Sequence, residues 1–127
     1  MQAILDTNFI ISALKNKIQV FDVIADMQEI SEIAIPLEVI NELEKIQKSS
    51  NKTEKEAAEL ALFMIKKKNL TIITLGTKEV DSGLLRYCIQ QNCILGTLDR
   101  KLKEKIRIKS PKTNFLTIKE RKRIVLQ

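Results

Sequence analysis

Short apolar runs that stop at an acidic residue constrain this chain most. The run 3–5 stops at Asp6 and the strand-like run 94–98 stops at Asp99. Continuous runs of this length suit strands buried on both faces of a parallel sheet. Ligands of open α/β sheets collect at the carboxyl ends of such strands. Two more acids, Glu42 in IPLEVINELEKI and Asp81 in EVDSGLLRYCI, also stand at the edges of apolar segments. Four carboxylates gathered at one sheet end would form an all-oxygen donor set for Mg²⁺ or Mn²⁺. Those ions neutralise phosphate, so a metal-dependent phosphodiester hydrolase is expected.

Between these runs the periodicity alternates strand and helix. Strands are expected over 2–5, 33–35, 70–75 and 94–97, with 114–118 as a last edge strand. Helices are expected over 8–14 with Thr7 as cap, over 18–27, and from Pro36 to about 47, Pro suiting a first helical turn. Further helices are expected over 54–68, 80–91 and 100–105, while the polar stretch 49–53 reads as a loop. The order predicts an α/β fold: one doubly wound domain over residues 1–127, its mostly parallel central sheet flanked by helices. With 44% apolar but only 4% aromatic residues, its core has to be aliphatic. No apolar run approaches the length that crosses a bilayer, and the first residues read as a strand and not as a signal peptide. A soluble, cytoplasmic protein with no membrane partner is expected.

Each acid also has a plainer reading. Asp6 and Asp99 are good helix caps, Asp81 suits a helix N-terminus, and Glu42 fits a solvated helix face beside Glu38 and Glu44. Three aspartates converging on one sheet end would nonetheless repel one another without a cation. The chain has no histidine, which excludes a histidine base. Its two cysteines, Cys88 and Cys93, read as buried thiols, with a disulfide as the alternative.

Charge is distributed unevenly. Residues 100–127 carry 11 Lys and Arg against 2 acids, net +9, whereas residues 1–99 carry 11 against 14, net −3. Arg100, Lys101, Lys103, Lys105 and Arg107 directly follow Asp99, and Lys119, Arg121, Lys122 and Arg123 lie near the chain end. Such clustering beside a carboxylate group suits a polyanion, although a solvated charged face is the commoner origin of a single charge run.

Four words stand in order along the chain. They are the opening strand ending in Asp6-Thr7-Asn8, the stretch 36–43 with Glu42 before Leu43, Asp81 opening a helix through Leu84, Leu85, Tyr87 and Cys88, and Thr97-Leu98-Asp99 before Leu102. Together they resemble the PIN-domain ribonuclease family, over nearly the whole chain and nearest to archaeal PIN proteins and the PIN nucleases of ribosome biogenesis. Ser82 stands where many members carry a second aspartate, and Leu98 and Lys101 replace polar or acidic residues common there.

The resemblance implies RNA as the substrate. Asp6, Glu42, Asp81 and Asp99 are then the catalytic residues, holding one or two Mg²⁺ or Mn²⁺ ions. Asn8 and Thr97, with Ser82 beside Asp81, are expected to orient carboxylates or water by hydrogen bonds. Arg100, Lys101, Lys103, Lys105 and Arg107 are expected to hold RNA. A toxin of a toxin–antitoxin pair and an RNA-processing or ribosome-maturation nuclease both fit, with an antitoxin or a ribosome-assembly partner respectively. A homodimer is expected by resemblance alone. The readings of other classes are a non-catalytic RNA-binding or scaffolding module and, more weakly, a phosphotransfer receiver, which normally pairs two acids after its first strand.

Overall fold

In the computed structural model, which describes residues 1–127, the apolar runs form six strands. They are β1 (Gln2–Leu5), β2 (Glu32–Pro36), β3 (Thr71–Ile73), β4 (Cys93–Gly96), β5 (Asn114–Lys119) and β6 (Arg123–Leu126). Between them lie α1 (Thr7–Lys15), α2 (Val20–Ala25), α3 (Leu37–Gln47), α4 (Lys52–Lys67), α5 (Val80–Gln90) and α6 (Arg100–Lys109). The sheet order is β3-β2-β1-β4-β5-β6, parallel through β5, with β6 antiparallel at the edge. The chain builds outward from β1 through β2 and β3, then returns to place β4 on the other side of β1. The crevice beyond the carboxyl ends of β1 and β4 is therefore the point where strand order reverses.

The pleat sorts the core residues to two faces. Ala3, Leu5, Ile33, Ile35, Ile94 and Leu116 pack under α1 to α4, whereas Ile4, Ala34, Leu95 and Phe115 pack under α5 and α6. Both faces are thus covered, which explains why the central strands read as continuous apolar runs and not as alternating ones. Cys88 and Cys93 are buried free thiols with their sulfurs 3.4 Å apart, joining the end of α5 to the start of β4. No helix is long and apolar enough to cross a membrane.

Several boundaries differ from the periodicity, each for a local reason. Asp6 and not Thr7 is the cap of α1; its side chain accepts from the Thr7 N–H, and Thr7 is already helical. α2 is shorter than 18–27, and α4 begins earlier than 54 because Asn51 caps it, accepting from the Glu54 N–H at 3.1 Å. β3 covers only half of 70–75. The Leu70 N–H turns back to Ile65, and the Leu75 and Gly76 N–H groups donate to the Glu38 carboxylate at 3.0 and 3.2 Å, so neither end continues the ladder. α6 continues past 105 because Ile106 is fully buried.

β5 is not the edge strand. Behind it Glu120 and Arg121 both take φ 57°, and the Lys122 N–H reaches the Lys119 carbonyl at 3.0 Å. Positive φ at both central residues is the mark of the type I′ hairpin turn. Without Gly or Asn in it, the turn carries no compositional signal, and the charges at 119–123 mask the return strand.

Candidate active site

The registers of β1 and β4 bring two of the acids together. Leu5 pairs with Gly96, and the Asp6 N–H continues the ladder to the Gly96 carbonyl at 2.8 Å. A Cβ on Gly96 would lie 2.8 Å from Leu5 Cδ2 and 3.2 Å from the Phe9 ring, so this close approach needs glycine. The next residue, Thr97, is fully buried and ties the two strand ends. Its hydroxyl donates to Asp6 Oδ2 at 3.0 Å and accepts from the Asp99 N–H at 3.2 Å. Asp99 in turn caps α6 by accepting from the Leu102 N–H at 3.1 Å.

α3 and α5 supply the other two acids. Glu42 lies mid-way along α3 and accepts the hydroxyl proton of Thr7, itself buried at the start of α1. Asp81 is in the first turn of α5, where the positive end of the helix favours a carboxylate. Asp6, Glu42, Asp81 and Asp99 line one cavity of about 360 Å³, together with Thr7, Asn8, Lys45, Ile46 and Val80. Thr97→Val should remove both hydroxyl bonds and strip the Asp99 N–H of its partner, costing about 1–3 kcal/mol. Urea denaturation of the variant measures this loss.

The electrostatics record crowding. Burial, aided by the charges of Asp81 and Glu42, raises Asp6 to about 6, against the lowering effect of its bonds to Thr7 and Thr97. Asp81 is raised too, by burial first and then by the charge of Asp99 and a side-chain hydrogen bond shared with it, with Glu42 contributing. Lys45 is the single cation of the lining, against four carboxylates. None of the four acids takes part in an ion pair. No three of them close to the spacing of a finished coordination sphere. Instead they ring an open cavity with room for water and a phosphate group. An all-oxygen, strongly anionic lining with one cation fits a hard divalent cation and offers nothing to a soft one.

Comparisons with known proteins identify the family. Residues 3–121 match the family described as PIN like domain. The chain belongs to the PIN-like domain family. It is 32% identical over 103 residues to ribonuclease VapC4 of Methanocaldococcus jannaschii, covering 80% of this chain and 79% of that protein. It is 31% identical over 127 residues to ribonuclease VapC9 of Archaeoglobus fulgidus, covering 98% and 88% respectively. Among solved structures, that of the PIN domain endonuclease Utp24 superposes with a TM-score of 0.78 at 25% identity, covering 99% of this chain and 90% of that one. The doubly wound fold expected from the alternating pattern is thus the PIN fold.

Within this PIN domain the remaining expected residues fall in different places. Asn8 is exposed and lines the cavity, whereas Ser82 is exposed on α5 outside the cavity wall. Lys103 departs most from its expected role. It is only 8% exposed, with Nζ 3.4 Å from Gln127 Oε1 and 5.9 Å from the Phe115 ring centroid. Position 103 follows Leu102 on the buried side of α6, so its stem is packed and its ammonium turned toward the C-terminal residue. Arg107 is exposed but sits 5.0 Å over the same ring. Arg100, Lys101 and Lys105 are exposed.

Three residues escaped the sequence reading. Thr7 suits a cap and stands in the Asp6-Thr7-Asn8 word, but its bond to Glu42 needs the contact of α1 with α3. Lys45 lies three residues after Glu42 on one helix, a spacing that puts both on one face and was legible in principle. Glu38 carried no signal, because its partners are backbone groups of a distant turn.

Proposed function

We propose that this PIN domain, residues 1–127, is a Mg²⁺- or Mn²⁺-dependent endoribonuclease that hydrolyses phosphodiester bonds of single-stranded or loop RNA. One observation carries the reading: four carboxylates from four elements line a single cavity at the point where strand order reverses. The relatives named ribonucleases and the structural neighbour named an endonuclease support the reaction class. Asp6, Glu42, Asp81 and Asp99 would hold the ion. When bound, a divalent cation supplies a water of lowered pKa and neutralises charge on the phosphate.

The chain's own residues prepare that chemistry. The Thr7 N–H and Thr97 hydroxyl orient Asp6, the Thr7 hydroxyl orients Glu42, and the Leu102 N–H orients Asp99. Ile46 and Val80 give the cavity its apolar side, and Asn8 offers an amide at its mouth. These bonds hold the acids in place before substrate arrives, which removes reorganisation from the reaction.

RNA is the expected partner, held in part by the exposed bases of α6, with a homodimer as the assembly. A toxin and an RNA-processing nuclease share this chemistry; arrest of growth on expression, relieved by a co-expressed antitoxin, distinguishes the first from the second. Cleavage of single-stranded RNA with Mn²⁺, abolished by EDTA, tests the proposal directly. No cleavage of any RNA in Mn²⁺ or Mg²⁺ would leave a non-catalytic RNA-binding module. Replacing Arg100, Lys101 and Lys105 together with Gln should shallow the salt dependence of RNA binding, at about 0.7 of log–log slope per lost phosphate contact. Lys103→Gln alone should leave that slope unchanged, because its ammonium is already turned inward.

A further inference from the structure

Next to the carboxylate cavity lies a second one, of about 520 Å³, between α3 and the turn that follows β3. The two share Glu42, Lys45 and Val80, so they form one continuous groove. Glu38, Asn41, Gly76, Thr77 and Lys78 complete the second cavity. Its two carboxylates are already engaged. Glu38 accepts from the Leu75 and Gly76 N–H groups, and Glu42 accepts from the Thr7 hydroxyl. Its two cations are not: the molecule's ion pairs are Lys15–Glu54, Lys52–Glu56 and Lys68–Asp22, leaving Lys45 and Lys78 without a carboxylate partner.

The hydrogen-bonding groups have the same bias. The Thr77 hydroxyl accepts from the Glu79 N–H at 3.3 Å, which leaves its own proton to donate, and the Asn41 amide is exposed beside it. Glu38 also anchors the turn that carries Lys78, at Gly76 with φ 76°, so the lysine stands on a held loop opposite α3. On the other flank of the carboxylates, past Asn8, a third cavity holds Lys15 and Arg121. There Lys15 is paired with Glu54 at 3.8 Å, and Glu54 is itself in the wall.

We propose that the cavity between α3 and the turn after β3 seats the phosphodiester adjacent to the scissile one, with Lys45 and Lys78 as its cations and Thr77 and Asn41 as hydrogen-bond donors. A nucleic-acid strand crossing the carboxylates then runs along α3 toward that turn on one side of the cavity, leaving the exposed bases of α6 to the phosphates on its other side. This assignment rests on the nuclease reading, since it places the neighbour of a cleaved phosphate. Point cations on flexible stems suit the role, because they follow a backbone whose bases vary.

The test combines Lys45→Gln with Lys78→Gln and measures binding of single-stranded RNA in EDTA at several salt concentrations, alongside KM and kcat for cleavage in Mn²⁺. The double variant should show a log–log salt slope shallower by about 1.4, two contacts at about 0.7 each, with a raised KM and an unchanged melting temperature. Lys66→Gln with Lys67→Gln, on α4 and outside both cavities, should leave the slope near that of the wild type. Slopes and KM equal to wild type in the Lys45 and Lys78 variant overturn the proposal while cleavage by the wild type keeps the nuclease reading. A wild type that binds RNA with the steeper slope yet cleaves none supports the strand track and overturns the nuclease reading instead.

Discussion

Asp6→Asn is expected to reduce Mn²⁺-dependent RNA cleavage by roughly 100-fold or more, beyond the 10–100-fold typical of losing a group that merely supports a metal ligand. The substitution removes one negative charge from the carboxylate cavity while keeping the side chain's shape. The fold has no reason to fail, because an Asn oxygen can still accept the Thr7 N–H that caps α1. Single-turnover cleavage in Mn²⁺, with circular dichroism as the control on folding, reads the effect. Cleavage at the wild-type rate would sink the assignment of Asp6 to catalysis. In parallel, Mn²⁺ at 100 times its dissociation constant should stabilise the wild type by about 2.7 kcal/mol. Asp6→Asn should lose most of that gain.

The same residue should dominate the pH dependence of stability without metal. Its carboxyl is raised from 3.8 to about 6 in the folded protein, chiefly by burial. Between those two values the folded chain holds a proton that the unfolded chain has released, so stability falls as pH rises through that window and stays low above it. The difference amounts to roughly 3 kcal/mol at neutral pH. Asp6→Asn should therefore be more stable than the wild type at pH 8, by about 1–3 kcal/mol after its weaker hydrogen bonds are allowed for. The two proteins should converge below pH 4. Thermal melts across pH in EDTA check both limbs, and a wild type whose stability rose from pH 4 to 7 relative to the variant would contradict the burial of an ionised Asp6.

The helix-capping readings and the site readings of the acids are compatible. Asp6 caps α1 and Asp99 caps α6, as local propensity predicts, and each cap bond occupies one oxygen of its carboxylate. The turn that caps a helix at a strand's carboxyl end is also the turn that aims an acid over the sheet. Sequence reading therefore found these two positions for a cap and for a site at once. Glu42 looked solvated by periodicity, yet it is half-buried and lines the cavity.

What the chain's order of residues determined by itself was local and periodic: which runs are buried on both faces, where helices begin, and that acids stand just past the ends of β1 and β4. Those follow from side-chain volume, polarity and spacing within a few residues, and they suffice for an α/β reading. Tertiary structure alone decided which side chains meet. Thr97 joins Asp6 to Asp99 because Gly96 allows β4 to approach β1 closely, and Glu38 ends β3 by taking amides 37 and 38 residues away. Likewise Lys103 turned inward once α6 docked on Phe115, although its sequence neighbours are solvated cations. Contacts of that kind depend on register and helix rotation, which differ by one residue between a buried and an exposed lysine and leave no trace in composition.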